Sequence, residues 1–417
     1  MRQLKKLMPQ NIRNTYHLAR AFGASHFYGR PVRKLKIIGI TGTDGKTTTT
    51  NLIYHLLKTA GLKVGMISTV NAVIGNKTLD TGFHVTTPDP IDIQKYLSQM
   101  VATGTEYAVL EVTSHALDQN RVWGIPFMIG VLTNITREHL DYHKTYSNYL
   151  KAKSKLFKSV LYSILNKDDQ SFQEVRKLAS GKITTYSLNK ESDIEAKDIE
   201  YGPEGSEFTY VYQDKSNKVE TELIGDFNIS NILAAISVCK VLNVSDDLIV
   251  QGLKTFRSVP GRMERVSNRG GFEVIIDFAH TPNAVEKALQ TMRKISKGKV
   301  YVVFGAASER DTGKRPLMGK IAAKLADYVI LTNEDPRWED PNKILTDIAK
   351  GVVMGGGTLN KTFWMIEDRA QAIKFAISKA KAKDLVLILG KGHEKSMSIQ
   401  GKELEWNDKD AVLKALK

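Results

Sequence analysis

Residues 36–50 read KIIGITGTDGKTTTT, from Lys36 to Thr50, and their interpretation decides the fold. Ile37, Ile38 and Ile40 form a β-branched run suited to a buried strand, which stops at Thr41-Gly42-Thr43-Asp44-Gly45-Lys46-Thr47. Beyond it, Leu52, Ile53, Leu56 and Leu57 recur at helical spacing. Strand, glycine turn and helix in that order are the setting of a phosphate-binding loop. Gly42 and Gly45 let backbone N–H groups face a polyphosphate, and the helix start adds partial positive charge. Thr43, Asp44 and Thr48 then line the loop, Lys46 reaches the outer phosphates, and the Thr47 hydroxyl sits on a magnesium ion. The strict eight-residue pattern wants glycine where Ile40 stands. The alternative is an ordinary strand-to-helix turn that happens to carry a lysine.

The chain around this loop is 417 residues long, which exceeds one compact core and predicts two domains or three. Its 42% hydrophobic and 25% charged residues are ordinary for a soluble globular protein. No apolar run approaches the roughly 20 residues that span a bilayer, and the N-terminus lacks a secretory apolar core. The single cysteine, Cys239, excludes an internal disulfide framework and fits a reducing cytoplasm. The formal charge of +15 favours anionic partners. There is no zinc-finger spacing and no basic stripe interleaved with aromatics, so small polyanionic nucleotides are the expected partners, with no nucleic acid and no integral membrane segment. A monomer is expected.

Residues 1–34 precede the first strand as a short basic extension; residues 1–36 hold nine Lys or Arg and no acid. Residues 10–24 are helix-compatible. From 35 to about 150, strands (LKVGMIST, EYAVLEVTS, IGVLTNI) alternate with helices, the signature of a doubly wound α/β domain. A small antiparallel insert is expected near 180–224, then helices near 231–242 and 248–256. The chain breaks around Ser258-Val259-Pro260-Gly261-Arg262, where a second α/β run begins. Its strands are FEVIIDFAH, KVYVVFG, YVILTNE and DLVLILG, with helices near 284–296, 315–326 and 342–353. The expected architecture is a central phosphate-loop domain over 35–257 with a mostly parallel sheet, and a Rossmann-like α/β domain over 258–417.

Polar clusters fall at the strand ends, where open α/β sheets bind ligands. Glu111 follows Ala108-Val109-Leu110, and a carboxylate there is costly unless it holds a cation such as magnesium. The bland reading is a strand-terminal Glu in water. His139 and Asp141 lie past another strand end and offer a second metal position, although a lone His is more often structural.

Ten motifs in order then resemble the Mur ligase family, most closely the members that add the third residue of the peptidoglycan stem peptide. They are TGTDGKTTT at 41–49, TTP at 86–88, EVTSHALDQNRV at 111–122, TNITREHLDYH at 133–143, FNISN at 227–231, GRMERV at 261–266, DFAHTPNAVEKAL at 277–289, ERDTGKRPLMG at 309–319, EDPRWEDP at 334–341 and GKGHE at 390–394. The resemblance implies an ATP-dependent, ADP-forming amide ligase that activates a stem-peptide carboxylate as an acyl phosphate, which the incoming amine then displaces. By motif, Lys46, Glu111, His139 and Lys153 are catalytic, and Thr47, Glu111, His139 and Lys153 serve two magnesium ions. Lys153 is implied to carry carbon dioxide as N6-carboxylysine; KAKSKLFKS offers four lysines, and the motif, not charge, selects Lys153. Asn228, Asn231, Arg262 and Asp277 are implied nucleotide contacts. Thr86, Thr87, Ser114, Gln119 and Arg121 would hold a UDP-muramoyl-dipeptide. Arg310, Glu334, Asp335, Pro336, Arg337, Gly390 and Glu394 would surround the incoming amino acid.

The resemblance departs in two places. The family begins with a UDP-gripping domain of roughly a hundred residues, whereas here about 35 residues precede the loop, so that domain is expected to be lacking, with the basic extension partly substituting. The loop that selects the amino acid reads Asp-Asn-Pro-Arg in diaminopimelate-adding members and Glu334-Asp335-Pro336-Arg337 here. Arg337 favours meso-diaminopimelate, while Asp335 would attract an ammonium group and suit L-lysine. Rival readings are a Mur-like ligase with another acceptor, of polyglutamate or wall-modifying type, and a noncatalytic nucleotide-binding protein.

Overall fold

The architecture comes from a computed structural model that describes residues 10–79, 86–202, 204–308 and 311–417. The chain forms two compact units, one of residues 1–200, 207–221 and 226–256, the other of 201–206, 222–225 and 257–417.

In the first unit β1 (Lys36–Thr41), with Ile37, Ile38 and Ile40 wholly buried, is the axis of the sheet. Its companions are β2 (Val64–Ile67), β3 (Ala72–Ile74), β4 (Lys77–Leu79), β5 (Tyr107–Glu111), β6 (Phe127–Leu132), β7 (Tyr162–Asn166), β8 (Lys182–Ser187), β9 (Ile194–Gly202), β10 (Gly205–Tyr212) and β11 (Lys215–Thr221). They lie in the order β11-β10-β9-β8-β7-β6-β1-β5-β2-β3-β4. β1 pairs parallel with both β5 and β6, so all three carboxyl ends open on one edge. Such a sheet is covered on both faces, which is why these strands read as continuous apolar runs. The sequence led us to expect a small antiparallel insert near 180–224. β8 and β9 continue the parallel ladder from β7, and β10 and β11 extend the edge of the same sheet.

The helix Lys46–Thr59 turns Leu52, Ile53, Leu56 and Leu57 into the core, as their spacing predicts. Helix Gln10–Phe27 runs three residues past the expected stretch. Other helices start at residues that cap them: Asp89 accepts from the Ile91 N–H ahead of Pro90, Thr113 from Ala116, and Thr145 from Asn148. Each such cap contributes about 1 kcal/mol. Cys239 is fully buried in helix Asp226–Val241, and burial pushes its thiol up to about 12, so it acts as a small apolar residue.

The second unit holds β12 (Glu264–Val266), β13 (Glu273–Asp277), β14 (Val300–Phe304), β15 (Tyr328–Leu331), β16 (Phe363–Met365) and β17 (Leu385–Leu389), in the order β12-β13-β17-β14-β15-β16. All neighbours but β12 and β13 pair parallel. A hairpin of β18 (Ser396–Ile399) and β19 (Lys402–Glu405) follows. Helices Pro282–Ile295, Lys314–Leu325 and Pro341–Met354 fall close to the expected positions.

Candidate functional site

The loop between β1 and helix Lys46–Thr59 requires glycine at two points. Gly45 sits at φ 82°, and a Cβ there would stand 2.3 Å from Asn231 Oδ1. A Cβ on Gly42 would stand 1.8 Å from Thr133 Oγ1. The closeness to Thr133 reflects how the loop is braced from the end of β6. The Asp44 N–H donates to Asn134 Oδ1 at 3.0 Å, and Asn134 Nδ2 donates back to Asp44 O at 3.0 Å. Thr133 Oγ1 donates to the same Asp44 oxygen at 2.7 Å. The loop N–H groups are thereby held in one arrangement ahead of any ligand.

Two lysines converge on this loop. Lys46 Nζ lies 3.0 Å from Gly42 O and 2.8 Å from Thr43 O. Lys153, on helix Tyr146–Ser154, is 1% exposed, and its Nζ is 2.5 Å from Gly42 O and 4.7 Å from the Tyr149 ring centre. Burial, and then the charge of Lys46, push the Lys153 amine well below its ordinary value. Lys151, Lys155 and Lys158 of the same stretch are exposed. Tyr149 contributes a hydroxyl 3.0 Å from Thr43 Oγ1.

Glu111 ends β5 with 2% exposure. Its carboxylate accepts from the Thr47 hydroxyl at 3.1 Å to each oxygen and from the Thr69 N–H at 2.9 Å. A hydroxyl and a carboxylate at one point are hard oxygen donors suited to magnesium, which keeps several waters and takes the rest from phosphate. Among the described residues no group of three His, Cys, Asp or Glu could hold a metal ion alone, so phosphate would have to complete the shell.

His139, at φ 56°, begins the turn Leu140–His143. Its ring centre is 4.7 Å from that of His115 and 6.1 Å from that of Tyr149, so it reaches the loop through Tyr149. His143 Nε2 is 3.0 Å from Ser114 Oγ. Burial, with Lys153 adding to it against Asp118, pushes the His143 imidazole down to about 4, so it is neutral at pH 7.

The residues expected to hold the muramoyl-peptide form one polar strip beside Glu111. Thr87 Oγ1 donates to Glu111 O at 3.1 Å and accepts from the Thr113 N–H at 3.0 Å. Arg121 donates to Gln119 Oε1 at 2.8 Å and to Thr87 O at 3.2 Å. Thr86 is half-buried beside them. Asn231, implied as a nucleotide contact, takes a hydrogen bond from Thr49 Oγ1 at 3.2 Å and is 3.4 Å from Asn228 Oδ1. Thr48 is buried in the first turn of the helix.

In the second unit the expected amino-acid residues gather at the ends of β15 and β17. Asp335 is 4% exposed, and its Oδ1 accepts from Lys391 Nζ at 2.9 Å and from the Ser398 N–H at 3.0 Å. Lys391, fully buried, also pairs with Glu394 at 2.5 Å. The Asp335 charge is therefore already matched inside the protein rather than offered to a ligand's ammonium. Glu334 differs: its Oε2 is buried with no hydrogen-bond partner among the described residues, and burial pushes the carboxyl up to about 7 against the pull of Lys314. The Pro336 ring is buried, and Gly390 follows β17. The Arg337 N–H donates to Ser398 O at 2.9 Å, tying its loop to the hairpin. Glu339, two residues on, is held by the buried Arg315 at 2.6 Å. Asp277 accepts from the Met263 and Ala279 N–H groups at 2.8 Å each, and the Arg262 guanidinium lies 4.2 Å from the Phe278 ring centre. Arg310 lies outside the described residues.

Four residues without a role in the sequence reading hold these sites. Asn134 and Lys391 stood in strand-end clusters and so carried a signal. Tyr149 and Arg369 carried none. Arg369, 2% exposed, grips Asp408 at 2.8 and 2.7 Å and donates to Asn333 O and Leu389 O, where β15 and β17 end.

Residues 40–239 match the Mur ligase middle domain, and residues 261–392 match the Mur ligase glutamate ligase domain. The chain is 43% identical to the UDP-N-acetylmuramoyl-L-alanyl-D-glutamate--2,6-diaminopimelate ligase of Aquifex aeolicus, over 94% of this chain and 80% of that protein. It is 39% identical to the same-named protein of Clostridium tetani, again over 94% and 80%. A solved structure of a ligase of that name superposes with a TM-score of 0.66 at 33% identity, covering 98% of this chain and 83% of the other. A folylpolyglutamate synthase of Mycobacterium tuberculosis shares the fold at 16% identity, with a TM-score of 0.74 over 89% and 92%.

Proposed function

The chain belongs to the Mur ligase family, and on that basis we propose that it is an ATP-dependent ligase that joins an amino acid to UDP-N-acetylmuramoyl-L-alanyl-D-glutamate in peptidoglycan precursor synthesis. The observation that carries this reading is the gathering of Lys46, Thr47, Glu111 and the wholly buried Lys153 around one phosphate loop. A protein that only bound nucleotide would have no use for a buried amine held next to a second lysine.

In the proposed reaction an oxygen of the D-glutamyl carboxylate attacks the γ-phosphorus of ATP and the bond to ADP breaks. The amine nitrogen of the incoming residue then attacks the acyl carbon, inorganic phosphate leaves, and the ammonium proton passes to solvent. The loop N–H groups and Lys46 hold the phosphates in line and spread the developing charge. Thr47 and Glu111 would hold a magnesium ion, with His139 and Lys153 serving a second. The metal supplies neutralisation of charge on the transferred phosphoryl group. The Lys153 amine, shifted towards its uncharged form by burial and then by the charge of Lys46, is suited to attack carbon dioxide and lose a proton to give a carbamate anion. An anion there relieves the repulsion from Lys46. Thr86, Thr87, Ser114, Gln119 and Arg121 are assigned to the muramoyl-dipeptide.

We read residues 1–34 as a basic extension, 35–257 as the ATP-binding domain and 258–417 as the domain for the incoming amino acid. There the buried Glu334 carboxylate suits a distal ammonium, and Arg337 suits a distal carboxylate through two parallel hydrogen bonds. meso-Diaminopimelate carries both groups at its far end and L-lysine only the ammonium, so diaminopimelate is the favoured substrate. The test is phosphate release by the purified protein with ATP, magnesium and UDP-N-acetylmuramoyl-L-alanyl-D-glutamate. Release that depends on diaminopimelate supports the reading; no release with any UDP-muramoyl-peptide and amino acid overturns it.

A further inference from the structure

Helix Gln10–Phe27 lies on the segment from Thr87 to Trp123 through a polar seam. Arg20 pairs with Asp89 at 2.7 Å, and Gln10 donates to Asp118 Oδ2 at 2.9 Å. Asp118 also takes Lys155 at 3.0 Å and the Tyr142 hydroxyl at 3.0 Å. Burial alone would raise the Asp118 carboxyl, but the hydrogen bonds from Lys155 and Gln10 outweigh it and hold it down at about 2. Each carboxylate in the seam thus has its own cation.

Two guanidinium groups remain. Arg13 lies seven residues before Arg20, hence on the same helix face, and its Nε is buried with no hydrogen-bond partner among the described residues. Arg121 donates to two neutral oxygens, Gln119 Oε1 and Thr87 O, and feels the charge of Asp89, a carboxylate that Arg20 already holds. Half-buried cations that have no carboxylate of their own are costly, and an anion in the seam would relieve that cost. At the outer rim, Phe22 of the helix and Trp123 of the loop set their rings 5.6 Å apart at 49° while remaining 51% and 41% exposed. Exposed paired aromatics offer a stacking face for a nucleobase.

We propose that this seam binds the nucleoside diphosphate end of the substrate, with Arg13 and Arg121 on the two phosphates and Phe22 and Trp123 against the base. The inference rests on the ligase reading above, because Arg121 shares Thr87 and Gln119 with the strip assigned to the muramoyl-dipeptide. One substrate molecule would then run from the aromatic rim past Arg121 towards Glu111. The occupant is a small dianion with a planar base rather than a peptide, since among the described residues the seam has a surplus of two positive charges and no free carboxylate.

The test uses the full chain and uridine diphosphate alone, measured by calorimetry, alongside steady-state kinetics. Arg13→Ala and Trp123→Ala should each weaken uridine diphosphate binding by about tenfold, and Arg13→Lys should restore part of it. The same variants should raise KM for the UDP-muramoyl-dipeptide with kcat unchanged, and leave KM for a muramoyl-dipeptide lacking the nucleotide unaltered. Equal losses on both substrates would indicate a structural role and overturn the proposal, as would affinity within twofold of wild type or no saturable binding by wild type. If wild type turns over no UDP-muramoyl-peptide at all, the ligase reading fails instead. If it turns over normally while the variants match it, only the seam is wrong.

Discussion

Lys46 and Lys153 donate to the same acceptor, the Gly42 carbonyl oxygen, from 107 positions apart in the chain, at 3.0 and 2.5 Å. Two ammonium groups at one oxygen repel each other, and the wholly buried one yields, so Lys153 is the amine driven towards its neutral form. Phosphates entering the loop would meet Lys46, and a carboxylated Lys153 would exchange repulsion for attraction.

Lys153→Ala should therefore abolish turnover and be partly rescued by millimolar acetate, a small anion that fits the vacated space. Diffraction from bicarbonate-grown crystals with ATP should show a carbamate on Lys153. A free amine under those conditions, or no acetate rescue, removes the modification.

Lys46→Ala should reduce phosphate release to below about 1% of wild type while the thermal midpoint stays within a few degrees. The side chain is only half-buried, so its loss opens no core cavity. Retention of more than a few per cent of activity would mean that the loop does not hold the transferred phosphate.

Glu334 gives a pH-dependent stability of defined sign. Its carboxyl is pushed up to about 7 by burial. An unfolded glutamate titrates near 4.3, so between these values the folded state holds a proton that the unfolded state has lost, and stability falls as pH rises, by roughly 3 kcal/mol across the window. Denaturant unfolding of wild type against Glu334→Gln at pH 5 and pH 8 should show that extra loss in wild type only. Diaminopimelate KM should fall over the same range as the carboxylate ionises, and Glu334→Gln should flatten the profile. Parallel profiles would place Glu334 outside the amino-acid site.

Arg337→Ala should raise KM for diaminopimelate by about tenfold or more, near 1.4 kcal/mol, and change L-lysine turnover little. Competition of the two amino acids at equal concentration should favour diaminopimelate in wild type. A preference for lysine, or a KM within about twofold after substitution, reverses the assignment.

Arg369→Met should destabilise the second unit by about 3–5 kcal/mol, because it leaves the buried Asp408 carboxylate without its cation. Replacing both partners, Arg369→Met with Asp408→Leu, should recover much of that stability. The single variant should also raise the amino-acid KM, since Arg369 fixes the carbonyls of Asn333 and Leu389 from which both site loops start.

Most of the fold was legible along the chain because its signals are local. Ile37, Ile38 and Ile40 mark a strand by side-chain shape, Gly42 and Gly45 mark the turn by backbone freedom, and Leu52 to Leu57 mark the helix by spacing. Motifs in order were enough to point to the family. The extent of the sheet was less legible: β8 to β11 read as a small antiparallel insert because edge strands of a larger sheet and short hairpins share one alternating pattern. Charge state and pairing were not legible at all. Lys151, Lys153, Lys155 and Lys158 look alike in sequence, and it is the turn of one helix against the loop that buries Lys153 and exposes the rest. Asp335 was open to a ligand's ammonium until the fold brought Lys391 to it across 56 positions, and Glu334 was left beside it with its Oε2 unpartnered among the described residues. Electrostatic energies depend on distance and burial in space, and neither exists until strands far apart in the chain have paired.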